Sequence, residues 1–238
     1  LTNHPESDNL DYAKKQIEKL NLKEKEYLTN FFRFTFFLSG FGYTIYGDKP
    51  ISFETINLKC KSKNINGIDY MNINHIFNKY KLNEGWGVWN KYFALYLSKN
   101  FTLNSHPFPF DNDQIEITLI NHHNFIKIVT ENLEDFQRVL EKKLTPHQIL
   151  ESYIKGNDFV FTKIRHHDGL FGLLLGYGRN NSFTYMIQKG GQNMKDCFED
   201  FPEPASVDFI LPPSFCVVEN TLETNQLKSS YERRSEEH

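Results

Sequence analysis

The sequence predicts an α+β chain that is predominantly α: a single domain of aromatic-rich packed helices with a small hairpin or sheet. Three observations predict it. Apolar residues recur at helical spacing along the chain and are bracketed by recognisable caps, most plainly from Thr145 to Gln148. Strict apolar–polar alternation is confined to short runs, the clearest being Ile115 to Leu119. The chain also carries 22 Phe, 12 Tyr and 2 Trp, an aromatic share of 15%, so rings must supply much of the core. The globular domain is expected over residues 1–218, with its core at about 10–218, and residues 219–238 as a polar, disordered tail.

Taken in order, Leu10, Ala13, Ile17 and Leu20 fall on one stripe and predict a helix from Asp8 to Leu20. Asn21 followed by Glu24 is a capping-box pattern that starts a second helix, running to Ser39. Its face is Leu28, Phe31, Phe32, Thr35 and Phe36, while Phe34, Phe37 and Leu38 fill the other sides, so its last turns are expected to be buried almost all round. Gly40 stops it. Phe41 to Gly47 and Ile51 to Phe53 read as a hairpin or two short extended segments, with Tyr43 and Ile45 inward, Asp48 and Lys49 in an exposed turn, and Pro50 at a strand start or edge. Asn57 to Gly67, polar and lysine-rich, reads as an exposed loop.

Helical spacing returns at Trp86, Trp89, Phe93 and Leu97, and His106 to Phe110 is extended because Pro107 and Pro109 cannot enter a helix. After the strand at Ile115 to Leu119, Asn121 caps a helix that carries Phe125, Val129, Phe136 and Leu140 inward. Thr145, Pro146 and Gln148 combine an N-cap, a first-turn proline and a capping-box partner, and Gly156 ends the helix they begin. Asp158 caps a helix toward Arg165 and Asp168 another through Leu175, or the two are one helix broken near His167. Val207, Phe209 and Leu211 alternate as a short strand.

A formal charge of -3 and the lack of a Lys/Arg stripe argue against nucleic acid as a partner. The strongest apolar run, Phe31 to Leu38, falls short of the roughly 20 residues a bilayer requires, so no transmembrane segment is expected and the chain reads as soluble. Cys60, Cys197 and Cys216 lack the CxxC spacing of zinc or redox motifs and are too few for a disulfide framework. None has the local signature of a nucleophile; Cys197, after Lys195 and Asp196, comes nearest.

Two glycine-punctuated stretches stand out, Gly40 to Pro50 and Gly169 to Ser182, because glycine serves where the backbone takes a positive φ or approaches something closely. Gly176, Gly178, Arg179 and Asn181 imitate a dinucleotide-binding turn, but Asn181 stands where the third glycine belongs and no βαβ alternation surrounds it. A plain helix end, with Gly176 or Gly178 in a left-handed cap and Asn180 or Asn181 capping the next helix, explains the same residues. A third reading makes the N–H groups and Arg179 an anion site at a helix start. Next to it, His166, His167 and Asp168 resemble the histidine-aspartate pair of metal-dependent phosphohydrolases. The apolar run that precedes such a pair is missing, however, and only the scattered His75, His122, His123 and His147 are left to complete a ligand set. Asp168 as a helix cap beside a partly exposed histidine pair explains these residues without a metal.

Phe31 to Arg33 followed by Gly42 to Ser52, and later Gly169 to Asn181, resemble the segments of a group of uncharacterised proteins from intracellular bacteria. In that group an aromatic helix end leads into Gly-Tyr-Thr-aliphatic-aromatic-Gly-x-Lys-Pro, and a Leu-Gly-aromatic-Gly-Arg-x-Asn segment follows. The order of elements agrees from about Phe31 to Ile187. The group has no established activity, so the resemblance implies a shared architecture for the two glycine stretches and carries over no site residue.

With chemistry-bearing signatures absent, the sequence points to a non-enzymatic recognition protein, exported or host-directed, with a protein as partner and with no cofactor or metal. The alternative is a hydrolase or transferase of unfamiliar type, with His167 and Asp168 as catalytic candidates and Gly176, Gly178, Arg179 and Asn181 as the ligand loop. The chain starts at Leu1 without Met, which fits both a removed signal peptide and a truncated start, so export and a cytoplasmic location both stay open.

Overall fold

The structure, a computed structural model, describes residues 6–57, 80–94, 96, 98–107, 113–156, 158–188, 194–196 and 215–236. In chain order the elements are α1 (Glu6–Lys19), α2 (Leu22–Phe37), α3 (Phe41–Ile45), β1 (Ile51–Asn57), α4 (Leu82–Phe93), β2 (Phe101–Pro107), β3 (Gln114–Asn121) and α5 (His122–Glu131). They continue as α6 (Leu133–Leu140), α7 (Pro146–Lys155), α8 (Phe159–Arg165), α9 (Asp168–Leu174), α10 (Arg179–Ile187), β4 (Lys195–Asp196), β5 (Cys216–Val217) and α11 (Leu222–Glu236). This is the predominantly α, α+β architecture that periodicity predicts. The stretches around Cys60, His75, Leu97, Phe110, Cys197 and Val207 to Leu211 lie outside the described residues.

β3 is the middle strand of a three-stranded antiparallel sheet of order β1-β3-β2. Its register with β1 sets Ile51 beside Ile120 and Ile56 beside Ile115. Side chains alternate across a sheet, and here both faces are covered. Ile51, Phe53 and Ile120 face a cluster built from α5 to α10 that includes Phe125, Phe136, Tyr153 and Leu173. Ile56, Ile117 and Leu119 face the rings of Phe31 and Phe34 from α2, Phe41 from α3 and Trp86 from α4. The alternation at Ile115 to Leu119 therefore marks a strand, as expected, but its polar side is not solvated: Glu116 and Thr118 are buried. Arg165 of α8 pairs with Glu116 across that face, and its guanidinium lies 3.9 Å from the Phe171 ring centroid and 5.2 Å from that of Phe53. The buried carboxylate thus keeps a partner, without which burial would be strongly unfavourable.

The caps predicted at Asn21, Asn121, Thr145 and Asp158 all form. Asn21 and Glu24 exchange side-chain and backbone bonds at 3.1 and 2.9 Å, Asn121 accepts from the Asn124 N–H at 3.1 Å, and Asp158 accepts from the Phe161 N–H at 3.0 Å. Thr145 and Gln148 form the full reciprocal box, and Gly156 closes the helix with φ 72°. Beyond Phe31, only Arg33 of the last turns of α2 is exposed. A Cβ at Gly85 would overlap the Phe31 Cβ and lie 2.6 Å from the Tyr27 carbonyl oxygen, so α2 and α4 meet through a residue that must be glycine.

Four expectations are corrected. Phe41 to Gly47 is not extended: Phe41–Ile45 forms α3, and Tyr46 and Gly47 turn out of it. The carbonyls of Gly40, Thr44 and Gly47, which a strand would offer to a neighbouring strand, accept instead from Ser52 Oγ (2.9 Å), Asn121 Nδ2 (3.0 Å) and Asn124 Nδ2 (3.0 Å). The single helix expected after Asn121 breaks at Asn132, whose side chain donates to the Ile128 carbonyl at 2.9 Å, although Phe125, Val129, Phe136 and Leu140 all point inward. The apolar stripe of α1 is only half used, with Leu20 buried but Leu10 and Ile17 exposed. The tail from Glu219, expected to be disordered, folds as α11, because Leu227 and Tyr231 pack in the cluster with Phe215 and Tyr43 while Thr224 on the same face bonds Asn181 and the Val218 carbonyl.

Thr145→Ala removes one half of the reciprocal box and is expected to cost about 1 kcal/mol in urea unfolding. An unchanged midpoint would mean that the box adds nothing to this helix.

Candidate functional site

The fold brings the two glycine stretches together. The turn after α3 and the turn between α9 and α10 face each other across a cavity of about 160 Å³, closed on its other sides by α5 and α11. Lys49 stands at its inner wall. The sequence places this lysine in an exposed turn, yet it is 6% exposed, because its backbone N–H is drawn to the Tyr43 carbonyl (3.3 Å) and Pro50 leads directly into the sheet. Gly176 packs beside its stem: a Cβ there would be in ordinary contact with Lys49 Cγ at 3.5 Å but crowd the Tyr231 hydroxyl at 3.2 Å.

Among the described residues the Lys49 ammonium makes no hydrogen bond and no ion pair. Its only polar contact is the face of Tyr177, 5.9 Å from Nζ to the ring centroid, a distance at which a cation is weakly held. Burial pushes the ammonium down to about 8. The phenols of Tyr43 and Tyr177 are pushed up by burial, that of Tyr177 to about 12, so both stay protonated at neutral pH. The remaining charged groups of the cavity are the exposed side chains of Asp48, Lys127 and Glu131 at its rim. An unpaired buried cation beside a space walled mainly by apolar atoms is what a ligand of opposite charge would complete.

The ligand loop expected at Gly176, Gly178, Arg179 and Asn181 is a structural junction. It follows a helix rather than a strand, so the dinucleotide-type reading has no support in the fold. Gly176 has φ 78° and Gly178 φ 83°, and Gly178 rather than Asn180 or Asn181 occupies the N-cap of α10. An anion does sit at this helix start, but the chain supplies it: the N–H groups of Asn180 and Asn181 donate to the two carboxylate oxygens of Glu223 at 3.1 and 3.0 Å. A Cβ at Gly178 would lie 2.7 Å from Glu223 Oε2. Arg179 turns away to Asp135, with Nε and Nη2 at 2.8 and 3.2 Å from its two oxygens, and lies over Phe183. Asn181 is buried and fully bonded, donating to the Tyr177 carbonyl and accepting from the Val218 N–H and the Thr224 hydroxyl.

His167 and Asp168 exchange the roles expected of them. His167 caps α9, its Nδ1 accepting from the Leu170 N–H at 3.1 Å, while Asp168 is the first helical residue. His166 bonds the Thr162 carbonyl, and His122 lies between the Thr102 hydroxyl and the Lys99 carbonyl. No group of three or more His, Cys, Asp or Glu side chains suited to a metal occurs among the described residues. Cys216 is a free thiol, half-buried on β5 beside a separate cavity of about 380 Å³ that Asp168 also lines. No helix among the described residues is long and apolar enough to cross a membrane. No protein-family model, curated protein or solved structure matches the chain.

Two measurements check this site. Below the Lys49 pKa the unpaired charge opposes folding. Between about pH 8 and the ordinary lysine value near 10.5 the unfolded chain holds the proton that the folded chain has released, so this group makes stability rise with pH. Lys49→Met should therefore stabilise the protein at pH 7, by on the order of 2 to 3 kcal/mol, and flatten that rise; a destabilised variant would mean that Lys49 has a partner. Glu223→Ala empties the N–H cradle of α10 and should cost about 1 to 2 kcal/mol. It should also make the melting temperature sensitive to sulfate, a sensitivity absent from wild type.

Proposed function

We propose that the chain is a recognition protein without turnover chemistry of its own, and that its specificity centre is the Lys49 cavity beneath α11. One observation carries this reading: a lysine more than nine-tenths buried, unpaired, and bordering a space that is not filled by the protein. A ligand that presents one negative charge would offset the cost of holding that ammonium out of water. The rim favours a monoanion over a dianion, since Asp48 and Glu131 oppose a second negative charge while Lys127 balances only one of them. The volume equals that of about five water molecules at liquid density, which suits a carboxylate on a short stem.

The alternative, a hydrolase or transferase using His167, Asp168 and Arg179, has less to support it. Arg179 is committed to Asp135 and His167 to the α9 N-terminus, so both side chains are already engaged by the fold.

Thermal unfolding in acetate or propionate, compared with chloride and phosphate at matched ionic strength, tests the proposal. Carboxylate should raise the midpoint of wild type by mass action, with phosphate weaker, and the rise should vanish in Lys49→Met. A rise that persists in the variant, or none in wild type, rejects the site.

A further inference from the structure

The Lys49 cavity has a second chemical property besides charge. An ammonium held by a carboxylate stays protonated and unreactive, whereas Lys49 has no carboxylate partner among the described residues and faces the Tyr177 ring in a cavity that Tyr43 and Tyr231 also line. We propose that Lys49 captures a small aldehyde covalently and reversibly as an imine, in the cavity between the Gly40–Pro50 turn and the α9–α10 turn. The inference rests on the reading of this cavity as a ligand site and adds a reactive class of ligand to it.

The step balances without an oxidant or reductant. The nitrogen lone pair attacks the carbonyl carbon and forms a C–N bond, giving a carbinolamine. The two protons that the amine carried end on the former carbonyl oxygen, which departs as water and leaves the C=N bond. The Tyr43 phenol lines the same cavity and is kept protonated by burial. Burial also brings the amine down to about 8, so about half of it is neutral and nucleophilic at pH 8, against roughly 1% or less for a surface lysine of ordinary pKa. The other titratable groups facing the site are Asp48 beside Lys49, Lys127 and Glu131 on α5, Tyr177 before α10 and Tyr231 on α11.

The experiment uses propanal, a neutral probe of four heavy atoms, with cyanoborohydride to reduce the imine, followed by peptide mapping to locate the adduct. Lys49 should be modified in preference to every other lysine at pH 8, with an initial rate about 50-fold lower at pH 6. Acetate should slow the reaction by occupying the cavity. Lys49→Arg keeps the charge and should lose that adduct while retaining acetate binding. If adducts spread over surface lysines and the peptide containing Lys49 stays unmodified, the imine is rejected. Should acetate still bind Lys49-dependently in that case, the recognition reading survives; should it not, both fail.

Discussion

A strand buried on both faces must have helices on both sides, and Gln114–Asn121 is such a strand. Most of the architecture follows from that requirement. Ile115, Ile117 and Leu119 face the aromatic helices before the strand in the chain, and Glu116, Thr118 and Ile120 face the helices after it. At its end, Asn121 does two things at once, capping α5 and holding the Thr44 carbonyl. That residue ties the sheet to the turn that carries Lys49, so the candidate site inherits its rigidity from the middle of the core rather than from the surface it opens on.

Elements governed by near neighbours in the chain are legible in the sequence. The boxes at Asn21 and Thr145, the cap at Asp158 and the stop at Gly156 are local bonds between residues a few positions apart, and each forms where it is expected. What is misread depends on residues far away. α3 looks extended because Thr44 and Ile45 are β-branched, yet Ser52, Asn121 and Asn124 claim its carbonyls. α11 looks too polar to fold, yet Leu227 and Tyr231 suffice to anchor it because Phe215 and Tyr43 receive them.

The site shows the same division. The two glycine stretches mark where the chain makes close approaches, and they do meet at the cavity. The residues that matter most there are the least conspicuous. Lys49 resembles any lysine in a Gly-Asp-Lys-Pro turn, and its burial is settled by α5 and α11. Glu223 lies in a charged run that gives no sign of reaching back to α10. An anion at the start of α10 is legible from the glycines and asparagines, but whether the chain itself provides it is decided by a contact more than forty residues away.

The latch between Glu223 and α10 has a consequence for access. α11 closes one side of the cavity, and it is fastened by two backbone bonds, the Thr224 and Asn181 contacts, and one buried tyrosine. Such an element releases at a free energy below that of global unfolding. The amides of Asn180 and Asn181 are covered only while the helix is down, so their hydrogen exchange measures how often the cavity opens. A ligand held at Lys49 beneath Tyr231 would slow exchange at those two amides without touching them.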